Sequence, residues 1–250
     1  SAAWIEDQDF FRFSGMFRPV YLYAKPTAHL EDLWLQAGLE EDNSTGTLSI
    51  RLLLDGTASV HAKMTHPAGE TLLDGPLELT PEGKYLRSQS FRFEHIRPWD
   101  HARPELYHVT LTLTGPEGEV CEVIPYEIGF RRFERKEGLL CLNGARLVLN
   151  GVNRHEWNPD TGRAIGMADM TAAMDVFRRN RINAVRTCHY PNQTPWYQLC
   201  DRNGIYVMDE ANLESHGSWQ KLGAVEPSWN VPGSLPQWRG CGGDRARSMF

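Results

Sequence analysis

The chain has 250 residues, enough for one large domain or two ordinary ones, and its 41% hydrophobic and 23% charged residues exclude a disordered protein. A formal net charge of -6 gives no electrostatic footprint for a nucleic-acid partner. No apolar run nears the roughly 20 residues that a membrane-spanning helix needs. The opening SAAWIEDQDF has no basic segment followed by an apolar stretch, so it does not read as a signal peptide. Five cysteines (Cys121, Cys141, Cys188, Cys200 and Cys241) are odd in number and lack C-x-x-C spacing. They read as reduced, mostly buried thiols, and a cytoplasmic location follows as an expectation.

Residues 1–25 hold strand-like segments but too little apolar surface for a core, so they are expected to finish an earlier domain, with Pro26 at the seam. Residues 26–133 alternate with period 2 between turn signals, the pattern of a β-sandwich. Leu48, Ile50, Leu52 and Leu54 share one face, and Asp55-Gly56 offers a tight turn. Val109, Leu111 and Leu113 alternate with threonines before Gly115-Pro116-Glu117-Gly118 turns the chain into a strand over 119–124. From residue 134 the pattern becomes strand, helix, strand, helix, strand. A short apolar strand is expected over Leu147–Val152, and Met170, Ala173, Met174 and Phe177 fall at helical spacing. A second strand begins at Ala184-Val185. Thr194-Pro195 opens a helix that Gly204 should end, and Ile205–Met208 reads as a third strand buried on both faces. Alternating βα units imply a parallel sheet, and no G-x-G-x-x-G follows a strand to favour dinucleotide binding. Three strands cannot close a barrel of eight, and the last residues read as a helix running into Phe250. The chain is therefore read as cut at both ends. Gly240, Gly242 and Gly243 would each cost about 1 kcal/mol in that last helix relative to alanine, so the segment is read as either irregular or erroneous in sequence.

Polar residues gather where the three strands end: Asn153-Arg154-His155-Glu156, then Arg186-Thr187-Cys188-His189-Tyr190, then the run 209–216, DEANLESH. In a parallel α/β domain the carboxyl ends of the strands open onto one face, where substrates bind. Three such clusters point to a shared site. Glu214 and His216, two apart, suit a divalent cation, although a solvated loop would show the same spacing.

These residues carry a family resemblance. NAVRTCHYPNQTPWYQLCDRNGIYVM at 183–208 resembles the signature of glycoside hydrolase family 2. GVNRHEWNP at 151–159, DEANLESHG at 209–217 and EDQDFFRFSGMFRPV at 6–20 resemble its β-galactosidase branch. The resemblance implies three pieces. Residues 1–25 would be the C-terminal end of a jelly-roll sugar-binding domain, 26–133 an immunoglobulin-like β-sandwich, and 134–250 the first three βα units of a TIM (β/α)8 barrel. It also implies roles. His155, His189 and Asp9 would contact the galactosyl group, Arg186 would position the nucleophile, Glu214 and His216 would bind magnesium, and Asp9 would help hold sodium.

By the same resemblance both catalytic carboxylates, the acid/base and the nucleophile, are expected beyond Phe250, leaving both metal sites incomplete in this chain. Glu210 is assigned structural hydrogen bonds instead. The tryptophans are read as core or interface residues. The implied reaction of the whole protein is retaining hydrolysis of terminal β-D-galactosides such as lactose, by a homo-oligomer with no nucleic-acid or membrane partner. β-Glucuronidase or another family 2 glycosidase is the alternative within the enzyme class. A non-catalytic carbohydrate-binding or complementing fragment is the alternative outside it.

Overall fold

The computed structural model describes residues 15–213, 220–221, 224–225 and 236–249. It divides into two compact units. One is Tyr21–Val148 together with Asp201–Gly204, and the other is built on Leu149–Cys200 and the residues from Ile205 onward, joined by 15–20.

The first unit is a sandwich of β1 (His29–Leu39), β2 (Gly46–Asp55), β3 (Ser59–Thr65), β4 (Thr71–Pro76), β5 (Leu79–Glu82), β6 (Tyr85–Ser88), β7 (Phe91–Phe93), β8 (Tyr107–Thr114) and β9 (Val120–Ile128). One sheet has the order β1-β2-β6-β5 with β7 also paired to β2; the other has the order β4-β3-β8-β9. All their pairings are antiparallel. Period 2 dictates which side chains are buried. Leu48, Ile50 and Leu52 of β2 share a core with Val60, Ala62 and Met64 of β3 and Val109, Leu111 and Leu113 of β8. Tyr107 lies edge-on to Phe130 at 5.0 Å, and its hydroxyl accepts the Arg97 N–H at 2.9 Å, so its polar atom is satisfied inside the core. Gly46 is dictated by close approach, since a Cβ there would lie 2.7 Å from the Phe130 ring. Three further strands, β10 (Phe133–Lys136), β11 (Leu139–Leu142) and β12 (Ala145–Arg146), form a small antiparallel sheet in the same unit.

The turn at 115–118 joins β8 to β9 as a hairpin, closed by Gly115 N–H to the Glu119 carbonyl at 2.9 Å. The tight turn at Asp55-Gly56 is present but does not join a hairpin. Gly56 adopts φ +79°, yet β2 and β3 belong to different sheets, so the turn carries the chain across the sandwich. A positive-φ glycine makes a sharp reversal possible without specifying which strand is met next.

The second unit contains β13 (Gly151–Arg154), α1 (Met167–Arg179), β14 (Ala184–Thr187), α2 (Thr194–Asn203) and β15 (Tyr206–Met208). Its strands are parallel in the order β13-β14-β15. The first strand begins at Gly151 instead of Leu147. Val148 and Leu149 are exposed, so their apolar character does not mark a buried strand. α1 buries Met170, Met174 and Phe177, and Phe177 meets Trp196 of α2 edge-on at 5.9 Å. Asp169, in the first turn of α1, accepts the Gly166 N–H at 2.8 Å and the Asn158 amide at 2.6 Å, which hold its carboxyl below the ordinary range. Gly204 follows α2 at φ +67°, as a helix-terminating glycine does. β15 corrects one expectation. Ile205 is buried but Met208 is 58% exposed, because among the described residues β15 has β14 as its only strand neighbour. A last helix, α3 (Pro236–Ser248), runs through all three of its glycines, where irregular structure was expected. Glycine raises the cost of a helix without forbidding its hydrogen bonds.

Candidate active site at the strand ends

Parallel register sets the site. Asn153 and Arg154 stand beside Arg186 and Thr187, and Arg186 stands beside Met208, so the three strands finish along one edge. Residues just past that edge converge.

Arg186 Nε forms an ion pair with Glu210, and an Arg186 guanidinium nitrogen also lies 3.0 Å from His189 Nδ1. The second Glu210 oxygen is 3.1 Å from the same His189 nitrogen. Glu210 therefore ties together a residue of β14 and a residue of the loop that follows it. The His155 ring meets His189 edge-on at 5.6 Å and Tyr190 at 6.0 Å, so residues beyond two different strands share one surface. Cys188 is buried beside them, and burial raises its thiol pKa above the ordinary value. Ligand atoms of His155, Cys188 and His189 all lie within 4.8 Å of one another.

A polar scaffold supports these groups. The hydroxyl of buried Thr187 donates to Asp209 at 2.5 Å, the Tyr197 hydroxyl donates to the other Asp209 oxygen at 2.8 Å, and Asn192 N–H donates to Tyr197 at 2.9 Å. Burial, with the Asp209 carboxylate second, pushes the Tyr197 phenol well above its ordinary pKa, so it stays a donor. Arg154 lies 3.7 Å over the face of Trp196 and donates to Asn192; burial lowers its pKa without threatening its charge at neutral pH.

Glu156 is 2% exposed and fully engaged. Its carboxylate accepts Arg18 at 2.8 Å and the Gln193 N–H at 2.9 Å, and its own N–H donates to the Tyr190 hydroxyl at 3.0 Å. Arg18 also donates to the Pro191 carbonyl at 2.7 Å. A buried carboxylate needs such a partner, and Arg18 supplies it from the segment before the sandwich.

His155, His189 and Arg186 are thus brought together, with Glu210 between two of them. Asp9, Glu214 and His216 lie outside the described residues. Sequence reasoning assigned no role to Glu156, Arg18 or Cys188. Glu156 was visible within the NRHE run, but nothing in a linear pattern pairs it with an arginine 138 positions away. Trp196 is fully buried beneath Arg154, a packing residue rather than an exposed sugar platform.

Residues 28–131 match Glycosyl hydrolases family 2, and residues 133–250 match its TIM barrel domain. The chain belongs to glycosyl hydrolase family 2, as an immunoglobulin-like sandwich followed by the start of a TIM barrel. It is 48% identical over 253 residues to the β-galactosidase large subunit of Lactobacillus acidophilus, covering 100% of this chain and 40% of that relative. It is 44% identical to the β-galactosidase of Clostridium acetobutylicum, covering 100% of this chain and 28% of the relative. Among solved structures, the apo β-glucuronidase 3 of Bacteroides uniformis superposes with a TM-score of 0.73 at 27% identity, over 82% of this chain and 26% of that one. The β-glucuronidase of Parabacteroides merdae, at 23% identity and a TM-score of 0.68 over 77% of this chain and 28% of that one, shows the fold. The chain spans 40% or less of the curated relatives named here. No helix among the described residues is long and apolar enough to cross a membrane.

Proposed function

We propose that this chain supplies part of the sugar-binding surface of an enzyme that hydrolyses terminal β-D-galactosides such as lactose with retention of configuration. The observation that carries it is the meeting of His155 and His189, rings 5.6 Å apart, beside the Arg186–Glu210 pair at the strand ends. The two histidines would hydrogen-bond the galactosyl hydroxyls, and Arg186 would orient the nucleophilic carboxylate. A retaining glycosidase needs two carboxyl groups about 5–5.5 Å apart. Glu156 is sequestered by Arg18 and Glu210 by Arg186, so neither fits that duty. Both catalytic carboxylates are assigned to later barrel strands, outside these 250 residues.

Residues 1–25 are assigned to the end of a jelly-roll domain, 26–133 to the sandwich and 134–250 to the barrel. Magnesium, held in part by Glu214 and His216, and sodium, touched by Asp9, belong to the same proposal; neither ion enters the roles given to His155, His189 and Arg186. The whole protein is assigned to the cytoplasm and to a homo-oligomer, and the words "large subunit" in relatives' names favour a multi-subunit assembly.

The β-glucuronidase reading draws support from the solved structures, but identities of 48% and 44% to named β-galactosidases favour galactosides over the 27% and 23% shared with named β-glucuronidases. Comparing kcat/KM of the full-length protein on a chromogenic β-galactoside and the matching β-glucuronide tests it. Preference for the galactoside is expected, and preference for the glucuronide would overturn it.

A further inference from the structure

We propose that His155, Cys188 and His189 together form a binding site for a thiophilic divalent cation such as zinc, placed across the mouth of the sugar site. Three ligand atoms within 4.8 Å of one another surround a point that one ion can reach. Tetrahedral zinc takes nitrogen at about 2.0–2.1 Å and sulfur at about 2.3 Å, which sets ligand-to-ligand separations of roughly 3.3–3.8 Å. A pair at the 4.8 Å limit would have to close by about 1–1.5 Å to reach those separations. His155 and His189 both keep part of their surface exposed, with the His189 side chain 15% exposed, so the cluster is open to an ion from solvent.

The donor set decides the metal. One thiolate and two imidazoles are borderline-to-soft ligands that select zinc, cobalt or copper over magnesium, which wants oxygen. Three protein ligands leave a fourth position for water. The support is also present: Glu210, 3.1 Å from one His189 nitrogen, is the carboxylate that orients metal-bound histidines. Charge is tolerable because the Arg186 guanidinium is already paired with Glu210. Binding converts the Cys188 thiol to a thiolate, the S–H bond exchanging for an S–metal bond while the proton passes to the solvent, and no electrons are transferred. Among the described residues the other cluster of this kind, His29, Glu31 and Asp55, is a poorer candidate because the Lys25 ammonium already occupies Glu31 at 2.7 Å.

Occupation of this site would block the galactosyl group, so zinc would compete with sugar. That clause rests on the sugar-binding role proposed for His155 and His189; the metal binding does not.

Titrating the 250-residue chain with cobalt(II) tests the site directly. A thiolate-to-cobalt absorption band in the near ultraviolet should saturate at one ion per chain and disappear when zinc is added. Cys188→Ser should abolish the band, Cys121→Ser should keep it, and Glu210→Gln should weaken binding about 10–100-fold. No band in the unsubstituted chain, or a band retained by Cys188→Ser, would overturn the site. Should circular dichroism show that Cys188→Ser does not fold, zinc X-ray absorption on the Cys121→Ser/Cys241→Ser chain replaces it. Sulfur plus imidazole scattering supports the site, and a shell of oxygen and nitrogen alone overturns it. Loss of the cobalt band on adding galactose supports the overlap with sugar. A band that persists at saturating galactose overturns that overlap, while metal binding stands or falls on its own readout.

Discussion

Glu210 lies 3.1 Å from His189 Nδ1 with one oxygen and pairs with Arg186 through the other, so one carboxylate sets the orientation of two candidate sugar-site groups. The Glu210→Gln change keeps the shape and removes the charge that restrains the guanidinium. In the full-length protein, kcat/KM on a chromogenic β-galactoside is expected to fall about 10²-fold, the scale of a misplaced reacting geometry. A loss below about threefold would show that Arg186 and His189 are held by other groups.

The isolated chain is expected not to turn over galactosides. Among the described residues, Glu156 and Glu210 at the strand ends are both committed to arginines. Charge stabilisation in an oxocarbenium-like transition state requires carboxyl groups that face the scissile bond. Incubating pure chain with a chromogenic β-galactoside checks this, and turnover that survives purification and vanishes in Glu210→Gln would sink it.

The sandwich should answer to its core rather than to its outer faces. Leu111 is 1% exposed and belongs to the core cluster to which both sheets contribute, so Leu111→Ala should cost about 2–5 kcal/mol through lost burial and a residual cavity. Thr112, one position along β8, points the other way, and Thr112→Ala should stay within about 0.5 kcal/mol. Urea unfolding of the two variants separates the cases, and equal losses would mean the β8 register is wrong.

Acid should loosen the turn that begins β2. The Asp42 carboxylate accepts the Thr45 hydroxyl at 2.6 Å and the N–H groups of Ser44 and Thr45 at 3.0 and 2.9 Å, which hold its pKa far below the ordinary value. Between the depressed folded value and the ordinary one, near 3.9, the unfolded chain binds more protons. Stability from Asp42 is therefore present above that ordinary value and is lost as pH falls. Asp42→Asn should flatten the decline in urea midpoint between about pH 5 and pH 2. An unchanged acid limb would assign the decline to other carboxylates.

Much of this was legible in the sequence where one local rule governed the outcome. Leu48, Ile50 and Leu52, and again Val109, Leu111 and Leu113, were placed by period 2, and Met170, Met174 and Phe177 by helical spacing. The Asp55-Gly56 turn was visible, but its destination was not, since a turn's backbone does not record which sheet receives the next strand. The apolar strand expected over Leu147–Val152 begins only at Gly151, because exposed Val148 and Leu149 write the same letters as buried residues. At the site, His155, Arg186 and His189 were readable from their places after strands. The Glu156–Arg18 pair was not, because only the folded chain joins residues that far apart. Asp9, Glu214 and His216 lie outside the described residues.

The last prediction follows from how the two sheets are finished. In the sandwich, β2 and β8 are each flanked by other strands, and their inward side chains are almost wholly buried. Opening their hydrogen bonds requires breaching that core, so amides near Ile50 and Leu111 should exchange slowly. The parallel sheet is different. Among the described residues it has three short strands, both outer ones are edges, and Met208 is exposed at the end of β15. An unprotected edge favours local opening and pairing with another chain. Hydrogen exchange on the monomeric chain, resolved by peptide, should show amides from Ala184 to Met208 exchanging much faster than those around Ile50 and Leu111. Equal protection in the two regions would mean that the three-stranded sheet is closed and stable as it stands.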